Sequence, residues 1–206
     1  RYGPEARYAV EAEALIPTTK WDEEIARGLE FGLQGADSIQ DRRIPTFSRG
    51  ELPHFAGINT FLKAPYLEDV RRVGEYDVAV LGAPFDGGTT NRAGARHGPR
   101  QIREMSTLIR RVHPLTKTEP FRLARCADVG DVPINPIELE TSLKSIETFF
   151  DGIQQAGAAP LAAGGDHLIS LPILRSLARK GPLGLVHFDA HSDTTDSYFN
   201  GSRYTH

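Results

Sequence analysis

A chain of 206 residues with 24 basic and 27 acidic side chains, net charge −3, is long enough for one domain with its own core and has no charge block suited to nucleic acid or an anionic membrane. No apolar run approaches the roughly 20 residues of a membrane span and no secretory h-region is visible, while the single cysteine, Cys126, cannot form an internal disulfide, which fits a reducing compartment. A soluble, cytoplasmic protein is therefore expected, and the pairs Arg42-Arg43, Arg71-Arg72 and Arg110-Arg111 read as solvated faces or subunit contacts.

Residues 1–64 read as an N-terminal arm that packs on the core or on a neighbouring subunit, with a partly ordered tail as the plain alternative. Pro4 can open a short helix. A better one starts where Thr19 precedes Asp22 in the manner of a capping box, with Trp21, Ile25 and Leu29 at spacings of four. Beyond it Gly32, Gly35, Pro45, Gly50, Pro53 and Gly57 interrupt regular structure. Residues 65–206 read as one α/β domain. A short helix is expected over 66–72, then a buried strand over 76–81. That strand runs into a glycine-rich loop, 82–98, carrying Asp86, Asn91, Arg92, Arg96 and His97. The loop lacks Gly-x-Gly-x-x-Gly and is too long and polar for a pyrophosphate turn, which excludes dinucleotide binding.

Gly98-Pro99 opens a helix with Ile102, Met105, Leu108, Ile109 and Val112 on one apolar face. Next come a strand over 123–129 and a long helix capped at Asn135-Pro136, with Leu139, Leu143, Ile146, Phe150 and Ile153 in phase and Gly157 as its stop. A short strand over 160–163 feeds Gly164-Gly165-Asp166-His167. A helix with Ile173, Leu174 and Leu177 inward then ends at Gly181, and a strand over 183–188 delivers Asp189. This alternation predicts a parallel, doubly wound sheet with helices on both faces. Ligands gather outside the carboxyl ends of such strands, where the loops 82–98, 164–167 and 189–206 all emerge.

Asp189, His191 and Asp193 alternate, so on an extended backbone their side chains point to one side. Carboxylate and imidazole together suit divalent manganese, nickel, iron or zinc, and no cysteine is nearby for a thiolate site. With His167 added they look like half of a two-metal cluster; a polar strand edge is the plain alternative for the D-x-H-x-D spacing alone. Asp166 reads as a structural carboxylate or a partner for a metal-bound imidazole. His187 keeps the same register but lies inside the apolar run, and is expected to be a buried, hydrogen-bonded histidine.

The segments Gly-Gly-Asp-His-Leu-Ile-Ser-Leu-Pro (164–172), His-Phe-Asp-Ala-His-Ser-Asp-Thr (187–194) and the loop 82–99 resemble the ureohydrolase (arginase and agmatinase) family, in its agmatinase and guanidinobutyrase branch. The resemblance implies a three-layer, parallel-sheet, arginase-like α/β fold and a homo-oligomer, a trimer or hexamer. It implies two divalent ions, manganese first and nickel as the alternative, bridged by Asp189, with His167 and Asp193 on one ion and His191 on the other. It implies cleavage of a guanidino compound to urea plus an amine or ammonia by water activated between the ions, with Asp193 passing the proton and His206 shuttling it. Asn91 and Arg92 are expected at the substrate mouth. The substrate is left open among agmatine, a guanidino acid and a small guanidine. A formimino-group hydrolase and a non-catalytic subunit of a hetero-oligomer are the alternatives. Relatives draw two more carboxylates from an Asp-x-Asp motif on a later strand, so the chain is expected to correspond to the first two thirds of such a protein, with an open sheet edge and weak metal retention if it ends at His206.

Overall fold

The structure, a computed structural model, describes residues 55–109 and 112–205. The helical patterns expected before residue 55, the Arg110-Arg111 pair and His206 lie outside them.

Strands β1 (Val78–Ala83), β2 (Cys126–Asp131) and β3 (Ala159–Gly164) form one parallel sheet in the order β2-β1-β3. β1 takes the centre because its residues are small or apolar on both faces, as a strand covered on both sides requires; Ala79, Leu81 and Ala83 are fully buried. Among the described residues four α-helices accompany the strands: α1 (Gly98–Ser106), the single turn α2 (Pro120–Leu123), α3 (Leu139–Gln155) and α4 (Ser170–Leu177).

Helical periodicity places Leu143, Ile146, Phe150 and Ile153 of α3 on one stripe, which packs on Ala79, Leu81 and Ala83. Each such fully buried large side chain contributes roughly 1.5–3 kcal/mol. Ahead of α3, Asn135 Oδ1 accepts the backbone N–H groups of Ile137 and Glu138, and Gly157, at φ 87°, closes it. The other face of β1 meets α1. There a Cβ on Gly82 would lie 2.7 Å from Pro99 Cβ and 2.0 Å from an Asp131 oxygen, so only glycine lets the helix come this close. The result is a three-layer α/β fold with the sheet in the middle.

Two expectations are corrected. The apolar face of α1 and its extension, Ile102, Met105, Leu108, Ile109 and Val112, is 43–60% exposed, and Arg103 points inward instead. Arg103 donates to both oxygens of Asp128 (2.9 and 3.0 Å), to Asp131 (2.6 Å) and to the Gly130 carbonyl (2.9 Å), and its guanidinium lies 4.5 Å from the Phe61 ring centre. A buried charge is tolerated only when paired, and its partners come from β2. The second correction concerns residues 183–188. Among the described residues they join no strand ladder, and Leu183, Leu185, Val186 and Phe188 are 50–94% exposed. An apolar run becomes a strand only where a neighbour takes its backbone groups and a layer covers its side chains. Here the ladder ends at β3, whose Leu161 is itself exposed.

Smaller shifts are local. The helix expected over 66–72 is a 3₁₀ helix at Val70–Glu75, capped by Asp69 accepting from the Arg71 N–H. The described end of the arm packs on the core: Thr60, Phe61 and Ala64 are buried, the Phe61 N–H donates to Asp128 (2.9 Å), and the Leu62 N–H to Ser106 Oγ (2.8 Å). No helix of the described residues is long and apolar enough to cross a membrane.

Candidate metal centre

The loops after β1 and β3 meet at the carboxyl edge of the sheet. Gly165 makes this possible, since a Cβ there would lie 2.2 Å from the Phe85 carbonyl oxygen and 2.6 Å from that of Ala83. The Asp166 N–H donates to the Phe85 carbonyl at 2.8 Å. The buried Asp166 carboxylate accepts the Leu168 N–H (3.1 Å), capping the 3₁₀ turn His167–Ile169, and the Gly88 N–H (2.7 Å). Of the two roles expected for Asp166, these bonds are structural.

Within the first loop Asp86, whose side chain is fully buried, accepts from the N–H groups of Gly94 (2.7 Å) and Arg96 (3.2 Å) and pairs with the Arg96 guanidinium at 2.5 Å. The Arg96 side chain holds the Asp86 carboxyl down at about 2, with burial opposing and the two N–H groups assisting. Asn91 and Arg92 lie exposed on the turn enclosed by this clamp. The third segment returns to the same place: Tyr204 packs against the core, and the Thr205 hydroxyl donates to the Gly88 carbonyl at 3.5 Å.

Between these loops the ligand atoms of His167, His187, Asp189 and Asp193 all lie within 4.8 Å of one another. His167 Nδ1 is 2.5 Å from Asp193 and 3.5 Å from Asp189. His187 Nε2 is 3.6 Å from Asp189, and the two imidazole rings are 5.0 Å apart. The backbone that arranges them is turned, not extended. Asp189 accepts its own loop's His191 N–H at 2.8 Å, and Asp193 adopts a left-handed φ of 49°, a conformation aspartate tolerates better than most residues. The carboxylates therefore meet while the His191 side chain stays 83% exposed, 3.7 Å from Asp189. The His191 N–H and the imidazoles around it hold the Asp189 carboxyl below the usual carboxylate range.

His187 is not the buried histidine expected from the apolar run; its side chain is 32% exposed and faces the cluster. Its period-two register with Asp189 was the signal for that position. Two imidazoles and two carboxylates are a donor set suited to a borderline divalent cation, and their convergence on one partly exposed edge fits such an ion. His206 lies outside the described residues, next to Thr205.

A parallel three-layer α/β sheet with a histidine and aspartate donor cluster at the carboxyl ends of its strands defines an α/β protein with a candidate metal site. Within that class the chain belongs to the arginase family, whose model matches residues 76–206. It is 53% identical over 156 residues to the guanidinopropionase of Pseudomonas aeruginosa, covering 76% of this chain and 48% of that protein. It is 43% identical over 157 residues to the guanidinobutyrase of the same organism, covering 76% and 49%. The solved structure of proclavaminate amidinohydrolase from Streptomyces clavuligerus superposes with a TM-score of 0.69 at 42% identity, over 75% of this chain and 50% of that one. The chain spans about half the length of these curated relatives.

Proposed function

We propose that this chain carries the metal centre of an amidinohydrolase that cleaves a guanidino acid to urea and an amine. The observation that carries the reading is the convergence of His167, His187, Asp189 and Asp193, and the likeness to guanidinopropionase and guanidinobutyrase supports the substrate class. His167, Asp189, His191 and Asp193 would hold two divalent ions, manganese or nickel, with His187 beside them. Bound there, such ions supply Lewis acidity that makes water nucleophilic near neutral pH.

The chain's own groups divide the remaining work. A guanidinium carbon is a poor electrophile because its charge is delocalised, so it must be held square to the attacking water; the walls for that are the 84–88 and 164–167 backbones. The Asp193 carboxylate takes a proton from water and delivers it to the departing amine nitrogen, and His206 exchanges it with solvent. Arg92 and Asn91 bind the carboxylate tail, a role for which a guanidinium fork is well shaped. Water adds and the amine leaves, so atoms balance as urea plus an amino acid. The protein acts in the cytoplasm as a homo-oligomer, a trimer or hexamer.

The test is metal analysis of the full-length protein together with urea release from 3-guanidinopropionate, 4-guanidinobutyrate, agmatine, arginine and guanidine. Stoichiometric manganese or nickel and preference for a guanidino acid are expected. No bound transition metal and no urea from any substrate would sink the reading, and formamide in place of urea from a formimino compound would replace it.

A further inference from the structure

We infer that Asp166 is a positioning residue that locks the 84–98 loop to the 164–167 loop, so that the groups receiving the substrate's tail and the donor at His167 move as one body. What the two loops do rests on the function proposed above; that they are locked together rests on geometry alone. Asp166 is 7% exposed and its two oxygens do different jobs. One caps the turn that begins at His167 by accepting the Leu168 N–H, two residues on; the other accepts the Gly88 N–H, 78 residues away. Its backbone N–H donates to Phe85 in the same loop. Asp86 continues the lock by holding Gly94 and Arg96.

Asn91 and Arg92 therefore lie on a span tied at both ends to buried carboxylates, one of which adjoins His167. Only a carboxylate presents two acceptors at this length. An asparagine would turn an N–H group toward one of the two donors, and a serine could still cap the turn but would not reach Gly88.

These differences set the experiment. In the full-length protein Asp166→Ser should speed hydrogen exchange across residues 84–98 by about tenfold or more, and Asp166→Asn by less, with α4 unchanged, as loss of a charge-assisted hydrogen bond implies. KM for 3-guanidinopropionate should rise by about tenfold in the serine variant, while bound manganese and KM for tail-less guanidine stay within about twofold. Unchanged exchange over 84–98 in both variants would overturn the inference, as would equal KM shifts for the tailed and tail-less compounds. If Asp166→Ser does not fold, the same comparisons are made on Asp166→Asn. A wild-type protein that hydrolyses neither compound removes the proposed function, and the exchange data then still decide whether Asp166 holds the loop.

Discussion

Arg103, Asp128 and Asp131 form one group of charges and His167, His187, Asp189 and Asp193 another, and the two are built on different plans. In the first, a guanidinium with a 10% exposed side chain satisfies a carboxylate that is 1% exposed, and nitrogen and oxygen atoms are matched within the chain. In the second, two carboxylates about a third exposed share their ion pairs, among the described residues, only with imidazoles. A group that brings its own full cation ties elements together. A group of donors left at a half-open edge is arranged to receive something else.

Four measurements break or sharpen that contrast. Arg103→Ala leaves Asp128 buried without its cationic partner and should cost about 3–5 kcal/mol in a denaturant titration; a loss below about 1 kcal/mol would show that the first group is not structural. His167→Ala should lower urea release by about 100-fold or more while changing the stability of the metal-free protein by less than about 1 kcal/mol. A stability loss matching that of Arg103→Ala would erase the distinction between the groups.

Manganese titration then separates the two imidazoles nearest Asp189. His191→Ala is expected to weaken binding by about 10–100-fold, the exposed ring turning in from 3.7 Å, and His187→Ala by less than about tenfold. The reverse order would make the four-residue cluster seen here the ligand set. The smallest effect concerns Asp86, whose carboxyl is lowered from 3.8 to about 2 by Arg96. Its folded value lies below its unfolded one, so its stabilisation is complete above 3.8 and is lost as pH falls toward 2. Acid titration of Asp86→Asn should show a shallower stability loss in that window, by about 1–2 kcal/mol. An unchanged slope would mean the Arg96 pair is solvent-screened.

The elements that carry a strong local signal were legible in the sequence. β1, β2, β3 and α3 fall within a few residues of the runs that predict them, because a short apolar or small-residue run and the α3 stripe are local signals. The orientation of α1 was not legible. Its apolar residues suggest the inward face, and the winning contact is made by a charged residue, Arg103, with Asp128, 25 positions later. The register of His187 with Asp189 was readable, but its exposure was not, since that depends on whether residues 183–188 find a strand to pair with. For the D-x-H-x-D segment, the alternation rule assumes extended backbone, and the Asp189 turn and the left-handed Asp193 replace it.

The spacing of the ties around Gly88 has a kinetic consequence. The contact of Arg103 with Asp128 closes a loop of 25 residues, whereas Asp166 reaches Gly88 across 78 and Thr205 reaches it across 117. Closure entropy grows with the length of chain enclosed, and contacts distant in sequence form later. Pulse-labelled refolding should therefore find the ladder between β1 and β2 protected before the Gly88 N–H that Asp166 holds. The carboxyl edge is then a late addition to a frame already formed, and a metal ion arriving after the frame would act as the final step of assembly.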